Sequence, residues 1–239
     1  MLQPRDRLIV ALDVPSASQA RQILQTIGGS ANMYKIGKQL FTAEGPQVVR
    51  DLVASGRKVF LDLKFHDIPN TVAGAVKSAA DLGVSMLNVH ASGGSKMLQA
   101  AVEAAGQSPT RPIILAVTVL TSLSDSDLPE LGISGNVRTQ VLRLAALART
   151  AGCDGVVASA QEAHELRRES GEDFVIVTPG IRPAGFASAD QARVVTPADA
   201  IAAGATYLVV GRPVLEAPDP AMAAEHIVHE IEQAVAVAK

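Results

Sequence analysis

The stretch Leu52-Val-Ala-Ser-Gly-Arg-Lys-Val-Phe-Leu-Asp-Leu-Lys64 decides the fold, because it joins the end of a helix to a strand. Residues 46–54 have the apolar spacing of an amphipathic helix. Gly56 follows them, and a glycine there favours the left-handed cap that turns a chain back toward a sheet. The short apolar run 58–64 then predicts a strand. The stretch is therefore one helix–glycine–strand unit.

The same unit recurs along the chain. Gly83, Gly152 and Gly204 each close a further helical segment shortly before a strand. The predicted strands are 7–13, 32–37, 58–64, 84–90, 112–119, 154–159, 173–178 and 206–210, and the predicted helices include 16–27, 46–54, 72–80, 95–105, 138–150 and 161–169. Apolar strands separated by helices indicate a parallel sheet that is covered by helices.

Eight such units of about 30 residues have the size of a (β/α)8 barrel. We therefore predict an α/β protein, a TIM barrel that forms a single domain over residues 1–239. A doubly wound sheet is the alternative, but it would need about two strands fewer. The chain has neither a GxGxxG nor a GxxxxGKS/T motif, so dinucleotide and P-loop sites lack support.

Composition and charge exclude several classes of protein. Apolar residues make up 48% of the chain and charged residues 19%, which does not suit a disordered protein. A net charge of −3 with 3% aromatic residues gives no basic or stacking surface for nucleic acid. The longest charge-free apolar region, 112–124, is shorter than the roughly 20 residues that span a membrane. The single cysteine, Cys153, excludes an internal disulfide, and we expect a cytoplasmic protein without a targeting segment.

The strand 58–64 ends on charged residues. Residues two apart in a strand share a face, so Asp62 and Lys64 both point into the predicted barrel mouth, and Asp67 lies just beyond. A structural ion pair is the alternative, but a buried pair is often no more stable than an apolar replacement. Charges at the carboxyl end of a barrel strand are better explained by catalysis.

Two other strand ends carry charge as well. Asp13 ends the first predicted strand, and Lys35 lies in the second. Taken singly, either residue is equally well explained as a solvated side chain at the rim. Together with Asp62, Lys64 and Asp67, they bring two cations and three anions to one mouth. Such a cluster shifts pKa values and can hold a lysine protonated as a general acid.

The run Asp62-Leu-Lys-Phe-His-Asp-Ile-Pro-Asn-Thr71 resembles the DxKxxDIxxT signature of the orotidine 5′-phosphate decarboxylase family. Further segments that resemble the family follow in the expected order, at 9–13, 34–37, 89–91, 120–122, 178–183, 190–193 and 209–213. The resemblance therefore extends over nearly the whole chain.

The resemblance implies decarboxylation of orotidine 5′-phosphate to uridine 5′-phosphate and CO2, in UMP biosynthesis, without a metal or an organic cofactor. It implies that Lys64 donates the proton to C6 and that Asp62 lies beside the departing carboxylate. Lys35 and Asp67 would complete the charged network. These residue types suit the reaction, because a fixed ammonium stabilises negative charge that develops at C6 in the transition state.

The resemblance also implies how the substrate is held. Asp13 and Lys35 are expected at the ribose hydroxyls, with Asp67 and Thr71 on the same side. Thr121 is expected at the pyrimidine edge, although by itself it is equally an ordinary strand-end hydroxyl.

A homodimer with composite active sites is a further implication of the resemblance. Asp62 and Lys64 would serve one site, while Asp67 and Thr71 reach into the site of the partner. Pro69 agrees with this arrangement, because a proline directly after the strand end steers the chain away from its own Lys64.

The phosphate end can be predicted from the residues alone. Barrels often bind phosphate with the loops after strands seven and eight. Gly211 lets the backbone approach an anion, and Arg212 can clamp it with two hydrogen bonds. Arg182 and Gln191, in the long seventh loop, are expected to close over the same group. A solvated arginine beside a turn is the alternative for Arg212.

Two other functions remain open. Magnesium-dependent hexulose-phosphate synthases and keto-gulonate-phosphate decarboxylases carry a similar Asp-x-Lys-x-x-Asp strand. They place a metal-binding carboxylate where this chain has Lys35, and an ammonium cannot ligate Mg²⁺. A non-catalytic barrel that binds a phosphosugar or nucleotide is the other candidate. It predicts the loss of Lys64 or of one aspartate, and none is lost.

Overall fold

The computed structural model describes residues 2–183 and 195–237, in which eight parallel strands form a closed barrel. The strands are β1 (Leu8–Ala11), β2 (Met33–Gly37), β3 (Lys58–Phe65), β4 (Met86–His90), β5 (Ile113–Val117), β6 (Gly155–Val157), β7 (Val175–Thr178) and β8 (Tyr207–Val210). Each strand pairs with the next along the chain, and β8 pairs with β1. The predicted TIM barrel is confirmed, and the doubly wound alternative is wrong.

Helices cover the outside of the barrel. Within the described residues they are α1 (Ala17–Ile27), α2 (Lys38–Glu44), α3 (Gln47–Ala54), α4 (Pro69–Ala80), α5 (Gly94–Gly106), α6 (Val137–Thr150), α7 (Ala160–Ser170), α8 (Pro197–Ala202), α9 (Arg212–Leu215) and α10 (Pro220–Val237). Short 3-10 helices span Pro4–Arg7, Ala91–Gly93 and Pro129–Leu131. Over the described ranges, no helix has both the length and the apolar character needed to cross a membrane.

The apolar side chains of the strands pack on both faces of the barrel wall. Those that point inward fill the barrel and form one buried cluster, Ile9, Ala11, Met33, Phe60, Met86, Leu115, Val177, Tyr207 and Val209. Those that point outward, such as Leu8 and Val10, pack with the helices in a second and larger cluster. Burial on both faces explains why the strands are apolar without strict alternation.

The glycines predicted to close the helices have left-handed backbones. The φ angles are 79° at Gly56, 81° at Gly83, 88° at Gly152 and 100° at Gly204. Glycine adopts this conformation without the steric penalty that a side chain would add. The predicted helix–glycine–strand unit is therefore confirmed at these four positions.

Some elements differ from the sequence prediction. Helix α2 follows β2 directly and has 7 residues, too few for an apolar periodicity to identify it. Helix α10 has a readable helical spacing in Ala224, Ile227 and Ile231, and the sequence prediction placed a surface helix there, at His226 and His229, without giving its bounds. Strand β5 ends at Val117 rather than at residue 119, because the chain leaves the sheet to line a cavity at the barrel mouth.

Candidate active site

Two adjoining cavities open at the carboxyl ends of the strands. The smaller one, of about 180 Å³, is lined by residues that include Asp62, Lys64, Val117, Leu120, Thr121 and Val157. The larger one, of about 590 Å³, is lined by residues that include Asp13, Arg182, Gly211 and Arg212. Lys35, Pro179 and Val209 line both cavities, which therefore form one continuous cleft. Of the predicted site residues that the structure describes, all except Asp67 and Thr71 line this cleft.

Four charged side chains form an alternating row across the cleft. Asp13 Oδ1 accepts a hydrogen bond from Lys35 Nζ at 2.8 Å, and Lys35 Nζ lies 3.5 Å from Asp62 Oδ2. Lys64 Nζ donates to Asp62 Oδ1 at 2.5 Å. We call Asp13, Lys35, Asp62 and Lys64 the charged row. The structure thus brings together four of the five charges that the sequence assigned to the mouth.

Burial varies along the charged row. The side chains of Lys35 and Asp62 are 10% and 12% exposed, whereas those of Lys64 and Asp13 are 26% and 55% exposed. The two buried members are therefore the two that lie between opposite charges on both sides. This arrangement offsets the desolvation of each buried charge with two favourable electrostatic interactions.

The part of β3 that carries Asp62 and Lys64 contains a bulge. Strands β3 and β4 pair at Leu61 with Leu87 and again at Phe65 with Val89. The three residues 62–64 therefore stand opposite a single residue of β4. The regular strand alternation assumed from the sequence is interrupted at this point.

Sequence reasoning missed two residues that support the charged row. Asn88 is buried on β4 and donates from Nδ2 to Asp62 Oδ1 at 2.7 Å. Gly37 ends β2, and a Cβ atom there would lie 3.0 Å from Lys35 Nζ and 3.2 Å from Asp13 Oδ1. An amide within an apolar strand was the available signal for Asn88. For Gly37 the signal was weak, because glycine at a strand end is common.

The surroundings of Asp62 favour its ionised form. Burial raises the pKa of this carboxyl group, but the positive charges of Lys35 and Lys64 oppose the effect. Hydrogen bonds from Lys64 and Asn88 also favour the carboxylate, and the pKa of Asp62 falls below its ordinary value. Asp62 is therefore an anion at neutral pH and pairs with both lysines.

Asp67 and Thr71 lie away from the charged row of their own chain. Both residues are exposed, and Asp67 Oδ1 accepts a hydrogen bond from the backbone of Ile68 at 2.6 Å. Among residues 2–183 and 195–237, Asp67 forms no ion pair. The expectation that Asp67 joins the other four charges within one chain is therefore wrong, because the chain turns outward after β3 and enters α4.

The larger cavity holds the residues that were predicted for a phosphate. Gly211 follows β8, and Arg212 begins α9 at the wall of this cavity. Arg182 lies beyond β7 and is only 5% exposed; its Nη1 donates to the carbonyl of Ile181 at 3.0 Å. Gln191 lies outside the described residues. The smaller cavity, which Thr121 helps to line, meets this end of the cleft at Lys35.

The charged side chains of the cleft are arranged as ion pairs and not as the ligands of a metal ion. In the part of the chain that the structure describes, no three His, Cys, Asp or Glu side chains are grouped as metal ligands. Two carboxylates that line the cleft, Asp13 and Asp62, both contact the ammonium of Lys35.

The chain is a TIM barrel whose candidate active site, the cleft with the charged row, lies at the carboxyl ends of the strands. The chain belongs to the orotidine 5′-phosphate decarboxylase / HUMPS family, whose model matches residues 6–227.

Similar proteins cover almost the full chain. The orotidine 5′-phosphate decarboxylase of Alkalilimnicola ehrlichii is 56% identical over 225 residues, 94% of this chain and 96% of that protein. The protein of the same name from Moorella thermoacetica is 53% identical over 237 residues, 97% of this chain and 94% of that protein. The crystal structure of orotidine 5′-phosphate decarboxylase from Lactobacillus acidophilus has a TM-score of 0.86 at 41% identity, covering 95% of this chain and 99% of that one.

We predict that Asp62→Asn destabilises the protein at pH 7 and that this deficit shrinks in acid. Removing one partner of a buried ion pair leaves the other charge uncompensated, at a cost of about 3 kcal/mol. The lowered pKa of Asp62 stabilises the fold above the carboxyl pKa of the unfolded chain, about 3.9, and this contribution is lost as pH falls through the folded value. Urea unfolding from about pH 7 to pH 3 should therefore show the wild type losing stability more steeply than the variant.

Asp81→Asn is the matched control, because Asp81 is an exposed carboxyl group at the end of α4. It should change the free energy of unfolding by less than about 0.5 kcal/mol. A deficit in Asp62→Asn that stays constant over the whole pH range would contradict the stabilising role of the Asp62 charge.

Proposed function

We propose that the protein decarboxylates orotidine 5′-phosphate to uridine 5′-phosphate and CO2, a step of UMP biosynthesis in the cytoplasm. The observation that carries this proposal is the charged row, which ends with the Lys64 ammonium at the wall of the smaller cavity. The names of relatives at 56% and 53% identity support the same activity.

Lys64 is the proton donor in this proposal. The bond between C6 and the carboxylate carbon breaks, CO2 leaves, and the electron pair stays on C6. Lys64 Nζ then transfers a proton to C6 and gives uridine 5′-phosphate. Because Asp62 and Asn88 fix the lysine and its neighbour before the reaction, the positive charge already stands where negative charge develops.

In this proposal each of the two cavities binds a different part of the substrate. The pyrimidine lies in the smaller cavity, where Val117 and Val157 supply an apolar wall and Thr121 a polar edge. The ribose lies at Asp13 and Lys35, where the two cavities meet.

The phosphate lies in the larger cavity, where Arg182, Gly211 and Arg212 line the wall. Gln191 would join this group from the segment outside the described residues. Binding energy from the phosphate, which does not react, can hold the pyrimidine against Lys64.

The reaction is proposed to need neither a metal nor an organic cofactor. Lys35 supports this over the magnesium-dependent alternative, because its ammonium contacts both Asp13 and Asp62. A non-catalytic barrel that binds a phosphosugar or nucleotide would not need Lys64 so close to Asp62 at the wall of a cavity.

The direct test follows the loss of substrate absorbance as orotidine 5′-phosphate is converted, with and without excess EDTA. We expect the same rate in both, because an ammonium stands where the alternative needs a metal ligand. Activity that EDTA abolishes and Mg²⁺ restores would contradict the metal-free proposal. Binding of uridine 5′-phosphate without turnover would instead favour the non-catalytic barrel.

We predict that Lys64→Ala loses nearly all decarboxylation while it still binds uridine 5′-phosphate. The lysine acts mainly in the transition state, so the loss should fall on kcat. The measurements are steady-state kinetics and titration with the product. Retention of more than about a tenth of wild-type kcat, a loss under about 1.4 kcal/mol, would rule out the proton-donor role.

Lys58→Ala is the matched control for this variant. Lys58 starts the same strand at the opposite end of the barrel, where it lies 3.5 Å from Asp6. We expect wild-type kcat, because this lysine is remote from the cleft.

We also propose a homodimer in which each active site takes residues from both chains. Asp67, Ile68 and Thr71 are all exposed beside the barrel mouth, and Ile68 is 67% exposed. A carboxylate, an apolar side chain and a hydroxyl are thus presented outward directly after the strand that carries Lys64. In a dimer with two-fold symmetry this segment would enter the partner's cleft, and the partner's segment would enter this one.

We predict that inactive Lys64→Ala chains regain activity when they exchange subunits with inactive Asp67→Ala chains. One site of a heterodimer collects both substitutions and the other collects neither. Random exchange makes about half of the dimers heterodimers, so about a quarter of all sites are wild type. The measurement is the specific activity after subunit exchange has been verified by mass.

Lys64→Ala mixed with Asp62→Ala is the control for this experiment. The two residues contact each other within one chain, so both sites of a heterodimer stay defective. Activity that remains at the level of the separate mutants in both mixtures would mean that Asp67 acts within its own chain.

A further inference from the structure

Asn88 is a buried amide on the inner side of β4. It is 1% exposed and lies on β4 between the inward-pointing Met86 and the end of the strand at His90. It does not line either cavity of the cleft. A buried polar side chain in such a place needs hydrogen-bond partners, and both of its partners belong to the residues proposed for the reaction.

The side chain of Asn88 binds two different parts of β3. Its Nδ2 donates to Asp62 Oδ1 at 2.7 Å, and its Oδ1 accepts from the backbone N–H of Lys64 at 2.8 Å. Asp62 Oδ1 accepts from Lys64 Nζ as well, while Asp62 Oδ2 faces Lys35 at 3.5 Å. Asn88 thus helps to fix the orientation of the carboxylate that lies between the two lysines.

The hydrogen bond to the backbone of Lys64 lies at the bulge in β3. Residues 62–64 stand opposite Asn88 alone, so the regular ladder between β3 and β4 is interrupted there. Lys64 has a φ of 54° and is the only residue other than glycine with a positive φ in the described part of the chain. A conformation that is rare for a lysine persists only where the surrounding contacts hold it.

We propose that Asn88 is a positioning residue, whose amide holds the Lys64 backbone and the Asp62 carboxylate in the arrangement that proton transfer to C6 requires. This inference rests on the proposed function. Asn88 acts through its two neighbours and does not contact the substrate.

The chemistry of an amide explains why this position needs asparagine. One end accepts from a backbone N–H and the other donates to a carboxylate, and asparagine does both without a charge at any pH at which the protein is folded. Aspartate keeps the acceptor for Lys64 but places a second carboxyl group against Asp62. Leucine has a similar size, but it leaves the buried N–H of Lys64 without a partner.

The test compares Asn88→Leu and Asn88→Asp with the wild type. For Asn88→Leu we expect kcat to fall about 100-fold, the loss that a small displacement of a reacting group causes. Affinity for uridine 5′-phosphate should stay near that of the wild type, because the cleft residues are unchanged. The measurements are kcat, KM, product affinity and melting temperature.

Asn88→Asp provides a readout that a structural role would not give. The charged groups around position 88 are Asp62 and Lys64 on β3 and Lys35 on β2, whereas β5 presents Leu115 at the paired position. His90 is the titratable neighbour on β4 itself, and burial, followed by the nearby His66, Lys38 and Lys64, lowers its pKa in the wild type and the variant alike. A carboxyl group at position 88 can donate to Asp62 only while it is protonated. The kcat of this variant should therefore fall as pH rises, with a limb that the wild-type profile lacks.

Thr118→Val is the matched control for the loss of a buried hydrogen bond. Thr118 is 5% exposed directly after β5, and its hydroxyl donates to the carbonyl of Val157 at 3.1 Å. It does not contact the charged row. We expect a lower melting temperature with wild-type kcat and an unchanged pH profile.

Two results would overturn the positioning role. One is wild-type kcat in Asn88→Leu below its melting temperature. The other is a pH profile of Asn88→Asp that matches the wild type. If Asn88→Leu does not fold, the isosteric Asn88→Asp decides alone.

Failure of the proposed function gives a different result, because the wild type itself would then not convert orotidine 5′-phosphate. Crystal structures of the wild type and the folded variant would decide the inference in that case. An unchanged φ at Lys64 and an unchanged Lys64–Asp62 contact would reject it, and the loss of either would support it.

Discussion

The site depends on two ammonium groups, those of Lys35 and Lys64, that are paired with carboxylates at the mouth of an apolar barrel. An isolated charge beside Phe60 and Val117 would be expensive to desolvate. In the charged row, Lys35 and Asp62 instead each lie between two opposite charges. The low dielectric of the barrel mouth then strengthens the attraction between neighbouring members of the charged row. It also strengthens the interaction of these charges with any charge that forms in the cleft.

The barrel makes this arrangement rigid. Directly below the charged row, Phe60, Met86 and Leu115 fill the interior with side chains that are almost completely buried. Close packing of this kind leaves the charged groups little freedom to reorganise during a reaction. The outward-pointing side chains of the same strands pack against the helices. A displacement of the charged row is therefore opposed by packing on both faces of the barrel wall.

Much of the fold and the charged row could be predicted from the sequence, because both follow from short-range patterns. The recurring glycines and apolar runs identify the units, and the charges at the ends of strands identify the mouth. The bulge could not be predicted, since the pairing of β3 with β4 depends on residues that are distant in sequence. The role of Asn88 could not be predicted for the same reason, because its two hydrogen bonds connect strands that are adjacent only in the folded barrel.

The order of charges in the charged row agrees with the proposed composite site. The signs of the row alternate from Asp13 to Lys64, and the last member is a partly exposed ammonium at the cavity wall. Among the described residues Lys64 has a carboxylate partner, Asp62, on one side only. The next carboxylate in the sequence, Asp67, points outward because α4 begins at Pro69. In the proposed homodimer, Asp67 of the partner subunit would supply the next carboxylate of this alternation.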